Sequence, residues 1–205
     1  MAGGGAGVVL LLAAFLAGAI PWGYLMGRAV AGIDLRAVGS GGTGATNVLR
    51  TLGARASAIV FALDFLKGFL PILIGRQLGF GPWWVAGAAL AAVAGHCWSP
   101  FIGFKGGKGV ATGAGAATAL FPQVLLALPV LAVVVAVSRY MSLGSLVAAC
   151  IASLLALTSA ITGRLDWPAA LAIVAMSAVI VYRHEGNIRR LRAGTERRVG
   201  QTVDI

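Results

Sequence analysis

The stretch Val110–Ser138, VATGAGAATALFPQVLLALPVLAVVVAVS, decides how this chain is folded. It is apolar and uncharged throughout, and longer than the roughly 20 residues that one membrane-spanning helix requires. Phe121-Pro122 interrupts it near the middle. Proline has no backbone N–H to give, and it pushes the residue before it out of the helical region. The stretch is therefore either one long bent helix or two short ones. The charges on the flanking loops choose between them. With two helices the chain has seven, its N-terminus outside and its tail inside. Arg28, Arg36, Arg50, Arg55, Lys105, Lys108, Arg139 and the six arginines from Arg183 to Arg198 then face the cytoplasm, with only Arg76 and Arg164 outside, 13 against 2. That is a strong positive-inside asymmetry. A single helix would put the lysine loop and the arginine tail on opposite faces. The expected fold is all-α: seven transmembrane helices, the fourth short or broken, N-terminus outside and C-terminus cytoplasmic.

The rest of the chain agrees. Of its 205 residues 59% are hydrophobic and 11% charged, and the mean hydropathy is +0.93. Soluble domains are about 45–50% apolar and about 25% charged, so a soluble enzyme, a secreted disulfide scaffold and a disordered tail are all excluded. Further apolar runs cover about 8–26, 56–74, 83–101, 142–162 and 167–182. The first has no basic residue ahead of it and is expected as a retained helix, not a cleaved signal. Residues 1–205 are expected to form one transmembrane domain. The net charge of +10 suits anionic lipid or a phosphorylated substrate; nucleic acid is not expected, since only the tail offers a soluble basic arm. Cys97 and Cys150 provide neither a disulfide framework nor a metal cluster, and no metal or cofactor is expected.

Three unusual loops share the cytoplasmic side, at about 36–55, 95–112 and 183–198. The first is Gly39-Ser40-Gly41-Gly42-Thr43-Gly44-Ala45-Thr46-Asn47, leading to Arg50. Its glycines expose backbone donors, and a helix starting near Thr46 would add the partial charge of its free N–H groups. An anion nest and a flexible linker are both compatible with this composition. The second runs from His96 to Lys105-Gly106-Gly107-Lys108-Gly109-Val110-Ala111-Thr112. Its lysines suit a phosphate, or snorkel to headgroups. The third, Arg183-His184-Glu185-Gly186-Asn187-Ile188-Arg189-Arg190-Leu191, ends at Gly194-Thr195-Glu196. His184 and Asn187 share a face if it is helical. Contact with anionic lipid explains some of its arginines but not that pair. Asp64 and Lys67, three apart inside an apolar run, are either a structural ion pair or a functional one.

Together these residues resemble the bacterial acyl-phosphate-dependent glycerol-3-phosphate acyltransferase family. The likeness extends over nearly the whole chain, including Leu63-Asp64-Phe65-Leu66-Lys67-Gly68. One departure is Gly42, where the family usually has Asn. The resemblance implies a bacterial inner-membrane enzyme that moves a fatty acyl group from acyl phosphate to the 1-hydroxyl of glycerol 3-phosphate. The products are 1-acyl-glycerol 3-phosphate and phosphate, in the first step of phospholipid synthesis. It also implies handover from the soluble enzyme that makes acyl phosphate. It assigns Ser40, His184, Asn187, Arg50, Lys105 and Lys108 to catalysis, and Gly39, Gly41, Gly44, Thr46, Asn47, Gly106, Gly107, Gly109, Ser142 and His96 to substrate binding.

The residue types suit that chemistry. Both substrates and the leaving group are phosphates, so the site must stabilise several oxyanions; arginine supplies a bidentate fork and lysine a point charge. The hydroxyl proton has two candidate acceptors, His184 or an oxygen of acyl phosphate; a covalent acyl-serine on Ser40 is a third route, but no base with a recognisable spacing accompanies it. The second is favoured, since an activated acyl phosphate needs little help. The His-x4-Asp signature of thioester-using acyltransferases is absent, Phe101 and Arg189 standing where its Asp would be. A transporter of organic phosphates would also need a basic, glycine-rich site, but usually near the bilayer midplane and within inverted repeats. The topology is checked by cysteine accessibility: residues placed at 41, 107 and 186 should label from the cytoplasmic side only. Outside labelling at any of them would remove the shared site.

Overall fold

The computed structural model describes residues 4–201, and all regular structure among them is helical. In chain order the helices are α1 (Gly4–Ala19), α2 (Trp22–Ala31), α3 (Ala45–Gln77), α4 (Pro82–Cys97), α5 (Val110–Leu120), α6 (Ala127–Ser138), α7 (Met141–Ile161), α8 (Trp167–Arg183) and α9 (Glu185–Arg192). Four stretches are long and apolar enough to cross a bilayer: Gly4–Ala31, Ala45–Gln77, Pro82–Ile102 and Met141–Ile161. Helix α8 gives a fifth only when counted together with α9, from which it is bent by 58°. Bulky apolar side chains such as Val9, Leu12, Val133, Val137, Leu154 and Ile161 point outward, as a lipid-facing surface requires.

The Phe121-Pro122 interruption separates α5 from a short 3₁₀ turn (Pro122–Leu126) and α6. At 1.5 Å per residue α5 is about 16 Å long, about half the hydrocarbon thickness. A second proline acts where a continuous helix over 8–26 is expected: α1 stops at Ala19 and α2 resumes after Pro21. The break frees two carbonyls inside the bundle, and both find donors. Ser99 Oγ donates to Ala19 O at 2.6 Å and Lys67 Nζ to Ile20 O at 2.7 Å. Helix α3 bends at Gly53, whose φ of 85° is open to glycine, and Ser57 Oγ bonds back to Ala45 O across the bend at 2.9 Å.

In lipid, helices associate through close packing and not by hiding apolar surface from water, so small residues line their contacts. Gly18 packs on the backbone of Ala92, and Gly95 on that of Phe15, as α1 and α4 run side by side in parallel. Gly68 lies against the Thr112 carbonyl and Gly115 against that of Phe65, while Arg76 NH1 donates to Leu120 O at 3.2 Å farther along. These contacts make α3 and α5 parallel, so both begin at the same end of the bundle. A buried cluster contributed by α4, α5, α7 and α8 (Val93, Ala116, Ala156, Ile173 and Met176 among it) fills the middle.

A methyl group at position 68 or 115 would overlap a neighbouring carbonyl. Gly68→Ala and Gly115→Ala should each destabilise the purified protein by about 1–3 kcal/mol, read as a lowered Tm in detergent. Gly81→Ala, with open space around it and a φ of −62°, should melt like the parent.

Candidate active site

An open cavity of about 530 Å³ lies at one end of the bundle. Four helices begin on its wall. Gly44, Ala45 and Thr46 belong to the start of α3, Gly109, Val110 and Ala111 to that of α5, Met141 and Ser142 to that of α7, and His184 and Asn187 flank the first turn of α9. Each helix start carries N–H groups without helical partners and the positive end of the helix dipole, so four of them define a site for an anion. Gly109, with a φ of 83°, turns the chain directly into α5.

Charged side chains add to this. Arg50, on the short arm of α3 before the Gly53 bend, lines the cavity and donates to Arg197 O at 3.4 Å. Lys108 also lines it; burial lowers its pKa to about 8, with Glu196 opposing the shift and Arg190, Arg50 and Arg183 reinforcing it. Lys105 is exposed and away from the cavity, carried outward by the turn at Gly103 and Phe104. Arg183 donates to Gly107 O and Gly106 O, both at 3.1 Å, and so clamps the lysine loop.

Glu196 sits among these cations and is only 7% exposed. Ser142 Oγ and Asn187 Nδ2 donate to its Oε1 at 2.8 and 2.6 Å, and Arg190 Nε to its Oε2 at 2.8 Å. Burial opposes its ionisation, but these bonds outweigh burial and keep the carboxyl below its usual pKa. The tail around it crosses the first loop, where Arg197 NH1 donates to Gly39 O at 2.6 Å, and reaches the α6–α7 turn, where Val199 N donates to Arg139 O at 2.7 Å.

Asn47 is committed to its own loop. Its Oδ1 accepts from Ser40 N at 2.9 Å, and its Nδ2 donates to Leu35 O, Val38 O and Gly42 O at 2.9–3.1 Å. Gly42 contributes through its carbonyl, a function that needs no side chain, and Ser40 stands on the cavity wall beside it. Gly39 and Gly41 hold positive φ values of 62° and 70° behind that wall. Gly106 and Gly107 turn back onto α4, donating to Cys97 O at 3.2 Å and His96 O at 3.1 Å. His184 Nδ1 is 2.7 Å from Ile180 O. A carbonyl only accepts, so Nδ1 carries the hydrogen and Nε2 presents a lone pair. Burial, with Lys108 beside it, pushes the His184 pKa down to about 4.

Glu196, Ser145 and the apolar part of the wall are site residues that the sequence does not single out, as is Arg190, which joins the site through Glu196. Glu196 had a signal: it is one of only six acidic residues and closes a basic motif. The apolar wall comes from Ala54, Ala58 and Phe61 of α3 and Leu128 and Leu131 of α6, two helices that face each other without packing together.

Fold and site together define a multi-pass helical membrane protein with an N–H-rich cavity that carries Arg50 and Lys108 and is apolar along α3 and α6. The family of glycerol-3-phosphate acyltransferases matches residues 8–194. The glycerol-3-phosphate acyltransferase of Rubrobacter xylanophilus is 46% identical over 194 residues, covering 94% of this chain and 95% of that one. The Thermus thermophilus protein of the same name is 44% identical over 202 residues, covering 97% and 98%. The crystal structure of PlsY (YgiH), an integral membrane glycerol 3-phosphate acyltransferase, in its glycerol 3-phosphate form matches with a TM-score of 0.88 at 41% identity, covering 95% of this chain and 96% of that chain. Its lysophosphatidic acid form matches with a TM-score of 0.84 at 38% identity, covering 96% of both. The chain belongs to the glycerol-3-phosphate acyltransferase family.

The placement of the two lysines separates them. Loss of a charge-assisted hydrogen bond costs about 1.5–3 kcal/mol, or about 10- to 150-fold in kcat/KM. Lys108→Ala should lose that much turnover in detergent, whereas Lys105→Ala should stay within about threefold of the parent. Equal losses would mean that the lysine loop acts through its overall charge.

Proposed function

We propose that this protein transfers a fatty acyl group from acyl phosphate to the 1-hydroxyl of glycerol 3-phosphate, releasing phosphate and 1-acyl-glycerol 3-phosphate. The observation that carries the reading is the convergence of four helix starts with Arg50 and Lys108 on a cavity that is apolar along α3 and α6. An acceptor and a donor that are both phosphates need the first part, and a fatty chain needs the second. The chain is a bacterial inner-membrane protein of seven spans, α5 and α6 being two of them, with this cavity on the cytoplasmic side, where soluble glycerol 3-phosphate and a delivered acyl phosphate can both reach it. Every polar motif lies at that one end, which suits catalysis at a surface better than passage through the bilayer.

In this reading Arg50, Lys108 and the N–H groups of α3 and α5 hold the phosphates, with Ser40 and Ser142 adding neutral donors. The acceptor hydroxyl attacks the acyl carbonyl carbon, the C–O bond to phosphate breaks, and phosphate departs with the electron pair. Neutral His184, presenting a lone pair at Nε2, accepts the hydrogen bond of the attacking hydroxyl and aims its oxygen. It is too weak a base to keep the proton, which passes to an oxygen of the departing phosphate. Asn187, held by Glu196, supports the same geometry.

The test is product formation by the purified protein in detergent, where transport has no meaning. Phosphate release should require both substrates, and lysophosphatidate should appear by mass spectrometry. The pH profile carries a further prediction. The pKa of Lys108 in the free protein is lowered to about 8, so its charge is present below that pH and lost above it. kcat/KM should therefore fall above about pH 8, and Lys108→Arg should move that limb beyond pH 9. A limb near pH 6 should belong to the second ionisation of a substrate phosphate and persist in His184→Gln. Its disappearance in that variant would make His184 the base.

A further inference from the structure

Three ionisable side chains lie inside the apolar helices, apart from the cations assigned to phosphate. Asp64 and Lys67 of α3 and His96 of α4 are each 6% exposed or less. Lys67 Nζ is 2.7 Å from Asp64 Oδ1 and donates to Ile20 O, the carbonyl freed where α1 breaks. His96 Nδ1 is 3.6 Å from the same Asp64 oxygen. The opposite edge of the imidazole faces Gly107 so closely that a Cβ at 107 would collide with Nε2. Gly107 N in turn donates to His96 O at 3.1 Å. A line of contacts thus runs from the α1 break through Lys67, Asp64 and His96 to the residue before Lys108. Arg183 holds the other side of the same turn. Asp64 and His96 also reach the inner wall of the cavity.

An ion pair in this setting is a poor way to gain stability, because apolar residues of similar volume commonly do as well or better. Charged groups inside membrane helices are costly and mark function. Here the cost secures a fixed place for His96, and a lysine that must meet phosphate within about an ångström gains from a rigid base. We propose that Asp64 is a positioning residue: anchored by Lys67 to the α1 break, it holds His96 against Gly107 and thereby sets where Lys108 presents its charge. The inference rests on the phosphate-binding role given to Lys108.

The experiment is a double-mutant cycle. Asp64→Asn alone would leave Lys67 buried without a counter-charge, so the first variant is Asp64→Asn with Lys67→Met, which removes both charges. The second is His96→Gln, which leaves the ion pair intact. In the parent background each should raise KM for glycerol 3-phosphate by about tenfold, with kcat changed by less than about threefold and Tm kept within a few degrees. In a Lys108→Ala background the same changes should cost almost nothing, because the group they position is gone. A structural role predicts the opposite, equal losses in both backgrounds, and that result overturns the proposal. So do parent-like kinetics in either variant. If the charge-removed pair does not fold, His96→Gln alone decides by the same cycle. The cycle is read a second time as the Kd of inorganic phosphate by calorimetry, so failure of the acyl-transfer reading, seen as an inactive parent, stays distinct from failure of this one.

Discussion

A helix leaves the N–H groups of its first turn without partners, and burying that end is costly unless something negative meets it. This chain brings four such ends, those of α3, α5, α7 and α9, to one cavity. Much of the surrounding architecture serves that constraint. The glycine-rich loops are where helices must start abruptly, as at Gly109, and where backbone must stay open, as at Gly39 and Gly41. Arg50, Lys108 and Arg190 gather where the partial charges already point. Glu196 is the internal carboxylate that balances them, bonded to Ser142, Asn187 and Arg190 and brought in by a tail that ties three loops together.

Such a site requires that helix starts be held in register by a bundle with no hydrophobic effect between its helices. Glycine provides this by letting backbones touch. Gly68 against Thr112 and Gly115 against Phe65 fix α5 on α3, and Gly18 and Gly95 fix α1 on α4. These contacts set the distance between the loop that bears Arg50 and the loop that bears Lys108. Packing glycines deep in the bundle therefore help to shape the cavity, though none of them lines it.

Local rules made much of this legible in the sequence. Proline at 122 breaks the chain, and the helix start expected near Thr46 falls at Ala45, so that the second half of the glycine-rich loop is a helical arm ahead of the Gly53 bend. The same proline rule applies at Pro21, but an apolar run on both sides concealed the break, which became evident only through the donors that meet Ala19 and Ile20. The difference between Lys105 and Lys108 was hidden, because both stand beside a glycine pair and only the turn at Gly103-Phe104 separates inward from outward. Asn47, expected among the substrate-binding residues, does line the cavity, yet its side chain is also taken up by its own loop. Its four hydrogen bonds to that loop depend on a backbone path that no spacing reveals. Glu196 was obscured by its company: an acid within a run of arginines reads as a solvated ion pair until the fold buries it.

The space between α3 and α6 has a consequence for what leaves the enzyme. Each methylene of a fatty chain costs about 0.8 kcal/mol to bring into water, so a chain of a dozen carbons costs about 10 kcal/mol. A product released upward through the loops would meet that barrier at every turnover. Because Phe61 and Leu131 face each other across a gap and not across a packed seam, the tail can stay at bilayer depth while the headgroup alone enters and leaves water. In the proposed reaction that barrier would be avoided, with product departing along the plane of the membrane.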